Sequence, residues 1–205
     1  MKKIKNIILK EGFRSVASSG IKSFTVESLA SKLAMSKKTI YEYFPKKEIL
    51  IKKIIEYRMK GLIGEFEEIL DEETDAISQL SKIKEHNIKL VNKISLQKLI
   101  YLKLRYPKIW EIIEKYRLDR KNIYHRIFTL AKKQGYLKEN LDPLVCATLY
   151  MNIFNSIFQP DFMNDNNLSI KQTIEHFQYM LCGFLNDKGV KKIQSDIDKY
   201  LRDRG

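Results

Sequence analysis

The sequence contains few of the residues that cross-link small secreted proteins or form long flexible linkers. It has 2 cysteines, 4 prolines and 8 glycines in 205 residues. Cys146 and Cys182 have no close metal-type spacing, and both lie in apolar helical surroundings. They are therefore predicted to be buried, reduced thiols and not a disulfide or a redox switch.

Long apolar segments are also missing. The longest uncharged run, residues 144–160, is shorter than the roughly 20 apolar residues that span a bilayer and contains Asn152, Asn155 and Ser156. The basic start at residues 1–3 is followed by further charges before any apolar signal-peptide region. These absences predict a soluble cytoplasmic protein without a membrane segment.

Residue groups that support catalysis are missing as well. No nucleophile–base set, phosphate-binding loop or metal cluster stands out, and His86, His125 and His176 lack metal-ligand spacing. We therefore expect no enzyme activity, no metal and no cofactor.

Positive charge, by contrast, is concentrated at the N-terminal end. Residues 1–60 hold 15 basic and 5 acidic residues, a net charge of +10 out of a total of +13. This asymmetry indicates an anionic partner for the N-terminal end. The alternative from charge alone is a generally lysine-rich composition.

Helical periodicity dominates the chain, and no segment alternates in the manner of a strand. Apolar spacing predicts helices over residues 3–19, 26–33, 37–44, 46–70, 75–93, 96–105, 107–134, 142–159, 169–187 and 189–203. The predicted fold class is all-α, with an N-terminal three-helix helix-turn-helix domain over residues 1–46. A long helix joins it to a larger helical bundle within residues 47–205.

Residues 25–47 are the most informative segment. Thr25 and Ser36 have the hydroxyl side chains that cap helix N-termini, so two short helices follow them across a tight turn. Ile40 and Phe44 lie one turn apart and are predicted to face inward. The second helix carries hydrogen-bond donors suited to a DNA duplex, namely Lys37, Lys38, Thr39, Tyr41 and Tyr43. The alternative is an ordinary helical hairpin with a solvated, lysine-rich face.

This segment resembles the TetR family of bacterial transcriptional regulators. The resemblance covers about residues 4–50 and is carried by an ordered series: Phe13, Gly20, Thr25-Val26, Leu29-Ala30, Leu33-Ala34-Met35-Ser36-Lys37, Thr39-Ile40-Tyr41, Tyr43-Phe44-Pro45 and Lys47-Glu48-Ile49-Leu50. The length and the helical remainder are also similar to this family. The resemblance implies a dimeric DNA-binding regulator with a C-terminal domain for ligand binding and dimerisation.

The resemblance assigns DNA-contacting roles by position. It implies phosphate contacts for Thr25 at the start of helix 2 and for Lys47 at the start of helix 4. The start of the recognition helix is expected to meet base edges and nearby phosphates, through Ser36, Lys37, Lys38 and Thr39. Tyr41 and Tyr43 occupy positions that reach the DNA backbone.

One further position has an open role, and two positions depart from the family pattern. Glu27 either accepts from a cytosine amino group or is a solvated surface residue. Ala34 replaces the glycine usual in the turn, which costs roughly 1 kcal/mol if the backbone there is left-handed. Lys38 replaces a small residue or proline and adds a positive charge to the DNA face.

Two segments, residues 144–158 and 176–185, are apolar on most sides, so each must be buried on most sides. We expect them to form a four-helix dimer interface with contacts from Ala147, Met151, Phe154, Met180 and Phe184. The alternative is a pair of central core helices in a monomer. A dimer places two recognition helices about one helical turn apart, which suits a palindrome.

The middle of the chain is rich in aromatic residues that can line an apolar pocket with hydroxyl tips. The predicted pocket residues are Tyr101, Tyr106, Trp110, Tyr124, Phe128, Tyr150, Phe154 and Phe158. The alternative for each of them is core packing. Gly61 and Gly64 lie inside helix 4 and suggest either a hinge or close packing against a neighbour.

Taken together, the sequence predicts a ligand-responsive transcriptional regulator, a repressor more readily than an activator. It is expected to bind a palindromic DNA operator as a homodimer and to be released by a small hydrophobic or amphipathic effector. The alternative is a basic helical protein of membrane surfaces, although its lysines lie on two short helices and not along one amphipathic helix.

Overall fold

The computed structural model describes residues 2–91, 95–177 and 179–202, which are mostly helical. The helices are α1 Lys2–Ser19, α2 Val26–Lys32, α3 Lys37–Tyr43, α4 Lys47–Glu72, α5 Ala76–Val91, α6 Leu96–Arg105, α7 Pro107–Asp119, α8 Lys121–Lys133, α9 Pro143–Ile157, α10 Pro160–Asp165, α11 Ile170–Phe177, α12 Tyr179–Cys182 and α13 Asp187–Arg202. In these ranges the sole β feature is an isolated antiparallel bridge between Leu137 and Leu185. The predicted all-α fold is confirmed.

One of the predicted long helices is interrupted. The helix predicted over residues 107–134 is two helices, because α7 ends at Asp119 and α8 begins at Lys121, with Arg120 between them. The helix predicted over 169–187 is described as α11 and α12, with residue 178 outside the described residues, and α12 ends at Cys182. The short helix α10, which begins at Pro160, was not predicted; proline suits this first position because its missing N–H has no intrahelical partner there.

The chain divides into two compact units. Unit 1 comprises residues 1–62 and 93–116, and unit 2 comprises residues 63–92 and 117–205. The division falls within α4 and within α7. The predicted domain boundary between residues 46 and 47, at the start of α4, stays a prediction.

Unit 1 has a hydrophobic core built by α1, α2, α3, the first part of α4, α6 and α7. Its fully buried side chains include Ile8, Leu29, Ile40, Leu50 and Ile54. Gly20 terminates α1 with a φ of 82°, which glycine adopts without a steric penalty. Lys98 Nζ donates to the carbonyl oxygen of Ser18 at 2.8 Å, and so satisfies an acceptor that the helix end leaves open.

Unit 2 has a separate core in which α8 packs along α9, and α5 contacts α8, α11 and α13. Its largest fully buried side chains include Phe66, Ile77, Ile83 and Phe128. The aromatic rings of this core contact one another closely, as between Tyr150 and Phe177, whose centroids are 4.8 Å apart. Aromatic side chains therefore pack among the aliphatic residues of this core.

Asp75 links three segments of unit 2. Its carboxylate accepts from the Ser78 backbone N–H at 3.0 Å and the Tyr136 hydroxyl at 2.9 Å, and Lys192 Nζ lies 3.6 Å away. Burial raises the pKa of Asp75, but the hydrogen bonds from Ser78 and Tyr136 and the charge of Lys192 outweigh it, so the net pKa is lowered. The carboxylate is therefore stabilised in its charged form.

Candidate functional site

The segment α2–turn–α3 of unit 1 is formed as the caps predict. Thr25 has an extended backbone, and its side chain accepts from the Ser28 N–H at 3.1 Å. Ser36 does the same at the start of α3, accepting from the Thr39 N–H at 3.0 Å, and its hydroxyl also lies 2.9 Å from the Thr39 hydroxyl. Each hydroxyl satisfies an N–H group that has no partner within its helix.

The turn between these helices has a left-handed residue. Ala34 has a φ of 52°, and the Met35 N–H donates to the Ala30 carbonyl at 2.9 Å. The Ala34 N–H donates to the Ser31 carbonyl at 3.1 Å, which completes the paired bonds of a Schellman motif. Glycine is the favoured residue at this position because it has no Cβ atom. Ala34 therefore has the steric cost of roughly 1 kcal/mol that is expected for alanine in a left-handed backbone.

The two faces of this segment are chemically different. Val26, Leu29 and Ala30 of α2 are buried, as are Ile40 of α3 and Phe44 just after it. The predicted DNA-contacting residues are on the accessible side: Thr25, Ser36, Lys37, Lys38 and Tyr41 are exposed, whereas Thr39, Tyr43 and Lys47 are half-buried. Their individual roles toward DNA stay predictions.

Glu27 and Lys37 form an ion pair between α2 and α3. Hydrogen bonding and charge from Lys37 lower the pKa of Glu27, and Glu27 in turn raises the pKa of Lys37. Both side chains are more than half exposed, so the pair adds little to the stability of the fold. Lys37, a cation on the accessible face, therefore already has a counter-ion within the protein, the Glu27 carboxylate.

A narrow, partly open cavity lies within unit 2, and its free interior of about 20 Å³ has room for about one water molecule. It is lined by residues of α5, α8, α9, α11, α12 and α13, namely Leu80, Ser81, Lys84, Asn87, Tyr124, Tyr150, Phe154, Ile174, Phe177, Leu181 and Ile193. Aliphatic and aromatic side chains predominate, and the polar groups are few. This composition is typical of small-molecule sites.

The predicted pocket residues are divided between the two units. Tyr101, Tyr106 and Trp110 belong to the hydrophobic cluster of unit 1. The other five belong to unit 2, where Tyr124, Tyr150 and Phe154 line the cavity, and Phe128 and Phe158 pack in the surrounding cluster. The assignment of pocket residues remains a prediction. Of the eight predicted residues, Tyr124, Tyr150 and Phe154 line the cavity.

Two buried tyrosines form the polar part of the cavity wall. The rings of Tyr124 and Tyr150 contact each other, with centroids 4.9 Å apart, and Asn87 lines the same cavity. Burial raises the pKa of both tyrosines, and the positive charge of Arg120 partly opposes that effect. Both hydroxyls are therefore neutral hydrogen-bonding groups at physiological pH.

Sequence reasoning did not single out Arg120, Lys84 or Asn87. Arg120 lies in the interruption between α7 and α8, and Lys84 and Asn87 lie on α5. A polar residue within a helical pattern is ordinarily solvated, so the sequence alone has no signal that would distinguish these three. Their importance is visible only once α5, α8 and α9 are packed together.

The helix α9 has a buried face and an exposed apolar face. Ala147, Met151 and Phe154, which were predicted to contact a second subunit, are buried within a single chain, and Phe184 is half-buried. Of the five predicted contacts only Met180 is exposed. The exposed large side chains of α9 are Leu144, Val145 and Leu149, which are 47%, 54% and 49% accessible.

Neither a membrane helix nor a metal cluster is found in the part of the chain that the structure describes. None of its helices is both long enough and apolar enough to cross a bilayer. No three His, Cys, Asp or Glu side chains in the same ranges are grouped to hold a metal ion.

Residues 8–54 match the model of bacterial regulatory proteins of the tetR family. The HTH-type transcriptional regulator YvaF of Bacillus subtilis is 24% identical over 173 residues, which are 82% of this chain and 88% of YvaF. The fatty acid metabolism regulator protein of the same organism is 25% identical over 172 residues, 80% of this chain and 86% of that protein.

Solved structures show the same fold beyond the N-terminal segment. A transcriptional regulator from Saccharomonospora viridis, solved in complex with choline, aligns with a TM-score of 0.67 at 16% identity and covers 91% of this chain and 100% of its own. The family match and the similarity to curated HTH-type regulators identify the protein as a helix-turn-helix transcriptional regulator. Within it, residues 8–54 are the part that is similar to the TetR family of bacterial regulatory proteins.

Proposed function

We propose that this protein is a ligand-responsive transcriptional repressor that binds a palindromic DNA operator as a homodimer. It is not an enzyme in this proposal, and it acts in the cytoplasm. The observation that supports the proposal best is the capped helix pair α2–α3, which buries its apolar face and leaves its hydroxyls and lysines exposed.

The exposed start of α3 is suited to the major groove. Lys37 and Lys38 supply charge for phosphates, and Lys38 also suits the acceptors of guanine. Thr25 and Lys47, at the starts of α2 and α4, suit the flanking phosphates. Tyr41 and Tyr43 add donors for the DNA backbone.

Dimerisation explains the exposed apolar face of α9. Leu144, Val145 and Leu149 are about half accessible in the single chain, and Tyr179 and Met180 of α12 are also exposed. A second copy that covers these side chains removes apolar surface from water, which favours association by about 25 cal/mol per Å² before the costs of association. The dimer contacts that we propose are therefore these residues in place of Ala147, Met151 and Phe154.

The effector is a hydrophobic or amphipathic small molecule held in the cavity of unit 2. Its binding favours a dimer whose recognition helices no longer fit successive major grooves. The names of two similar proteins refer to a fatty acid pathway and to choline, and both fatty acids and choline are small molecules. These names are consistent with a small-molecule effector for this chain.

Selection from a library of random duplexes at two salt concentrations tests the DNA-binding proposal. A palindrome that stays enriched at the higher salt is expected. The Lys38→Ala variant is expected to lose about tenfold in affinity for that palindrome, and Lys121→Ala, an exposed lysine of unit 2, removes the same charge as a control. Weak binding without an enriched sequence, lost as salt rises, contradicts the proposal and indicates phosphate attraction alone. Binding to anionic liposomes would then become the measurement of choice.

Sedimentation equilibrium tests the dimer. Leu149→Glu is expected to convert the protein to a monomer, because it places a charge in the proposed interface. Leu118→Glu is the matched control, since Leu118 is an exposed leucine of unit 2 on α7. Equal association of both variants and the wild type contradicts the proposed interface.

A further inference from the structure

Arg120 places a positive charge beside the cavity of unit 2. Its Nε atom is buried and has no hydrogen-bond partner. Its guanidinium carbon lies 4.9 Å from the centroid of the Phe154 ring and 5.9 Å from that of Phe66. The side chain is therefore held between aromatic faces, which attract a cation only moderately.

Arg120 is half-buried, with its Nε atom buried. A guanidinium group that is partly removed from water is ordinarily paired, because an uncompensated charge is costly to desolvate. No carboxylate among the side chains that the structure describes, those of residues 2–90, 95–177 and 179–195, forms an ion pair with Arg120. Burial lowers the pKa of Arg120 from its usual range. Its neighbours in sequence differ, since Arg117 donates to the Phe158 carbonyl at 3.1 Å and Arg126 pairs with Glu67. Arg120 is thus set apart by the absence of a counter-ion.

The residues around Arg120 are also the residues of the cavity wall. Phe154, which contacts the guanidinium, lines the cavity together with Tyr124 and Tyr150. Both tyrosines feel the charge of Arg120. An acceptor group placed against the two hydroxyls would therefore be stabilised by that charge as well.

The rest of the cavity lining matches an amphipathic anion. Among the lining residues the one charged side chain is that of Lys84, and no carboxylate is present. Ile174, Phe177 and Leu181 supply an apolar wall. The cavity thus combines a positive polar end with a hydrocarbon-like remainder.

We propose that this cavity widens to take an amphipathic ligand whose polar end is an anion, bound at Tyr124 and Tyr150 beside the Arg120 guanidinium. The hydrocarbon part lies against Ile174, Phe177 and Leu181. The inference deepens the proposed function, since it names the chemical class of the effector. Carboxylate and phosphate share the chemistry required, and the experiment distinguishes them.

Isothermal titration calorimetry on the full chain, without DNA, measures the preference directly. The probes share one alkyl chain and differ in the polar end: dodecanoate, dodecyl phosphate, 1-dodecanol and dodecyltrimethylammonium, each below its micelle concentration. Straight-chain carboxylates from octanoate to hexadecanoate then test the length that the cavity admits. At least one of the two anions is expected to bind tenfold or more tightly than the alcohol, and the quaternary ammonium most weakly.

Arg120→Met and Arg117→Met separate the charge from the packing. Both remove an arginine next to Phe154, which Arg117 approaches at 6.0 Å. Arg117 donates to the Phe158 carbonyl, whereas the Nε atom of Arg120 has no hydrogen-bond partner. Arg120→Met is expected to lose the preference for anions about tenfold to a hundredfold while 1-dodecanol affinity is unchanged, and Arg117→Met is expected to keep the preference. If Arg120→Met does not fold, Arg120→Lys retains the charge without the planar fork and is expected to show a partial loss.

Equal affinity for anion, alcohol and ammonium would overturn the inference, as would an anion preference that Arg120→Met retains. In either case Arg120 has a structural role only. Because these titrations contain no DNA, they are independent of the duplex selection. A failure of DNA binding would contradict the proposed function and leave the ligand result standing as a measurement.

Discussion

The accessible face of α3 in unit 1 and the cavity of unit 2 are built on opposite principles. On α3 the candidate DNA-binding side chains are accessible, while a separate set of residues, such as Ile40, holds the fold. In unit 2 the residues that line the cavity, such as Tyr150 and Phe154, are also residues of the hydrophobic core. Binding and folding are therefore separable in unit 1 and coupled in unit 2. Substitutions can test this difference.

The largest effect is expected from truncating the aromatic core of unit 2. Phe128 is fully buried and contacts the rings of Tyr150 and Phe184, so Phe128→Ala is expected to lower the free energy of unfolding by about 3–5 kcal/mol. Lys38→Ala in unit 1 is expected to change it by less than about 0.5 kcal/mol. Urea denaturation measures both. A stable Phe128→Ala protein would show that the cavity region is less coupled to the fold than the packing indicates.

A smaller effect is expected at Asp75, where unit 2 uses a charge to hold its segments together. Asp75→Asn removes the charge-assisted bonds to Ser78 and Tyr136 and is expected to cost about 1–3 kcal/mol at neutral pH. Because the folded-state pKa of Asp75 is lowered, its contribution is present above the unfolded-state pKa of about 3.9 and is lost as pH falls through the folded-state value.

Denaturation at several pH values tests this linkage. The stabilities of wild type and Asp75→Asn should differ at neutral pH and converge in acid, below about pH 4. A difference that stays constant with pH would mean that Asp75 acts through shape and not through charge.

Backbone strain gives the next comparison between the units, because each has a non-glycine residue at a φ of 52°. These residues are Ala34 in unit 1 and Asn167 in unit 2. Asparagine tolerates the left-handed region better than alanine, so Ala34→Asn and Ala34→Gly are each expected to stabilise the protein by up to about 1 kcal/mol. Asn167→Ala is expected to act in the opposite direction. Thermal unfolding measures all three, and an unstable Ala34→Gly protein would contradict the steric explanation.

The smallest effect is expected at Gly64 of α4. A Cβ at this position meets no described atom within 4 Å, so close packing does not explain this glycine. Gly64→Ala is expected to stabilise α4 by about 0.5–1 kcal/mol. Gly12→Ala is the contrasting variant, because its Cβ would lie 2.5 Å from Ile54 Cδ1, and it is expected to destabilise unit 1. If the Gly61→Ala/Gly64→Ala double variant keeps its DNA affinity and ligand response, the hinge hypothesis is wrong.

The sequence predicted unit 1 well because its structural information is local. Thr25 and Ser36 cap their helices by bonds to residues three positions away, and the position of Ala34 follows from the same short segment. The all-α class followed from periodicity for the same reason. The interruption at Arg120 was missed because no glycine or proline marks it.

Unit 2 was predicted less completely because its site depends on packing between distant segments. A helix such as α9, apolar on most sides, gives no indication of which face turns inward. Ala147 and Met151 were therefore predicted to contact a second subunit, although both are buried within a single chain. The pocket residues were predicted from their aromatic side chains alone. Residue type does not show that Trp110 packs in the hydrophobic cluster of unit 1 and Tyr150 in that of unit 2.

The ion pair between Glu27 and Lys37 has a consequence for discrimination among DNA sequences. When a DNA phosphate pairs with Lys37, Glu27 loses its counter-ion and lies close to the polyanion. The repulsion between the Glu27 carboxylate and the DNA phosphates then weakens binding to every duplex alike. A cytosine amino group within reach of Glu27 relieves the penalty, so the carboxylate would act as a filter that rejects sites lacking such a donor. Glu27→Gln is then expected to bind DNA more tightly and less selectively, and an unchanged base preference in the duplex selection would exclude this filter.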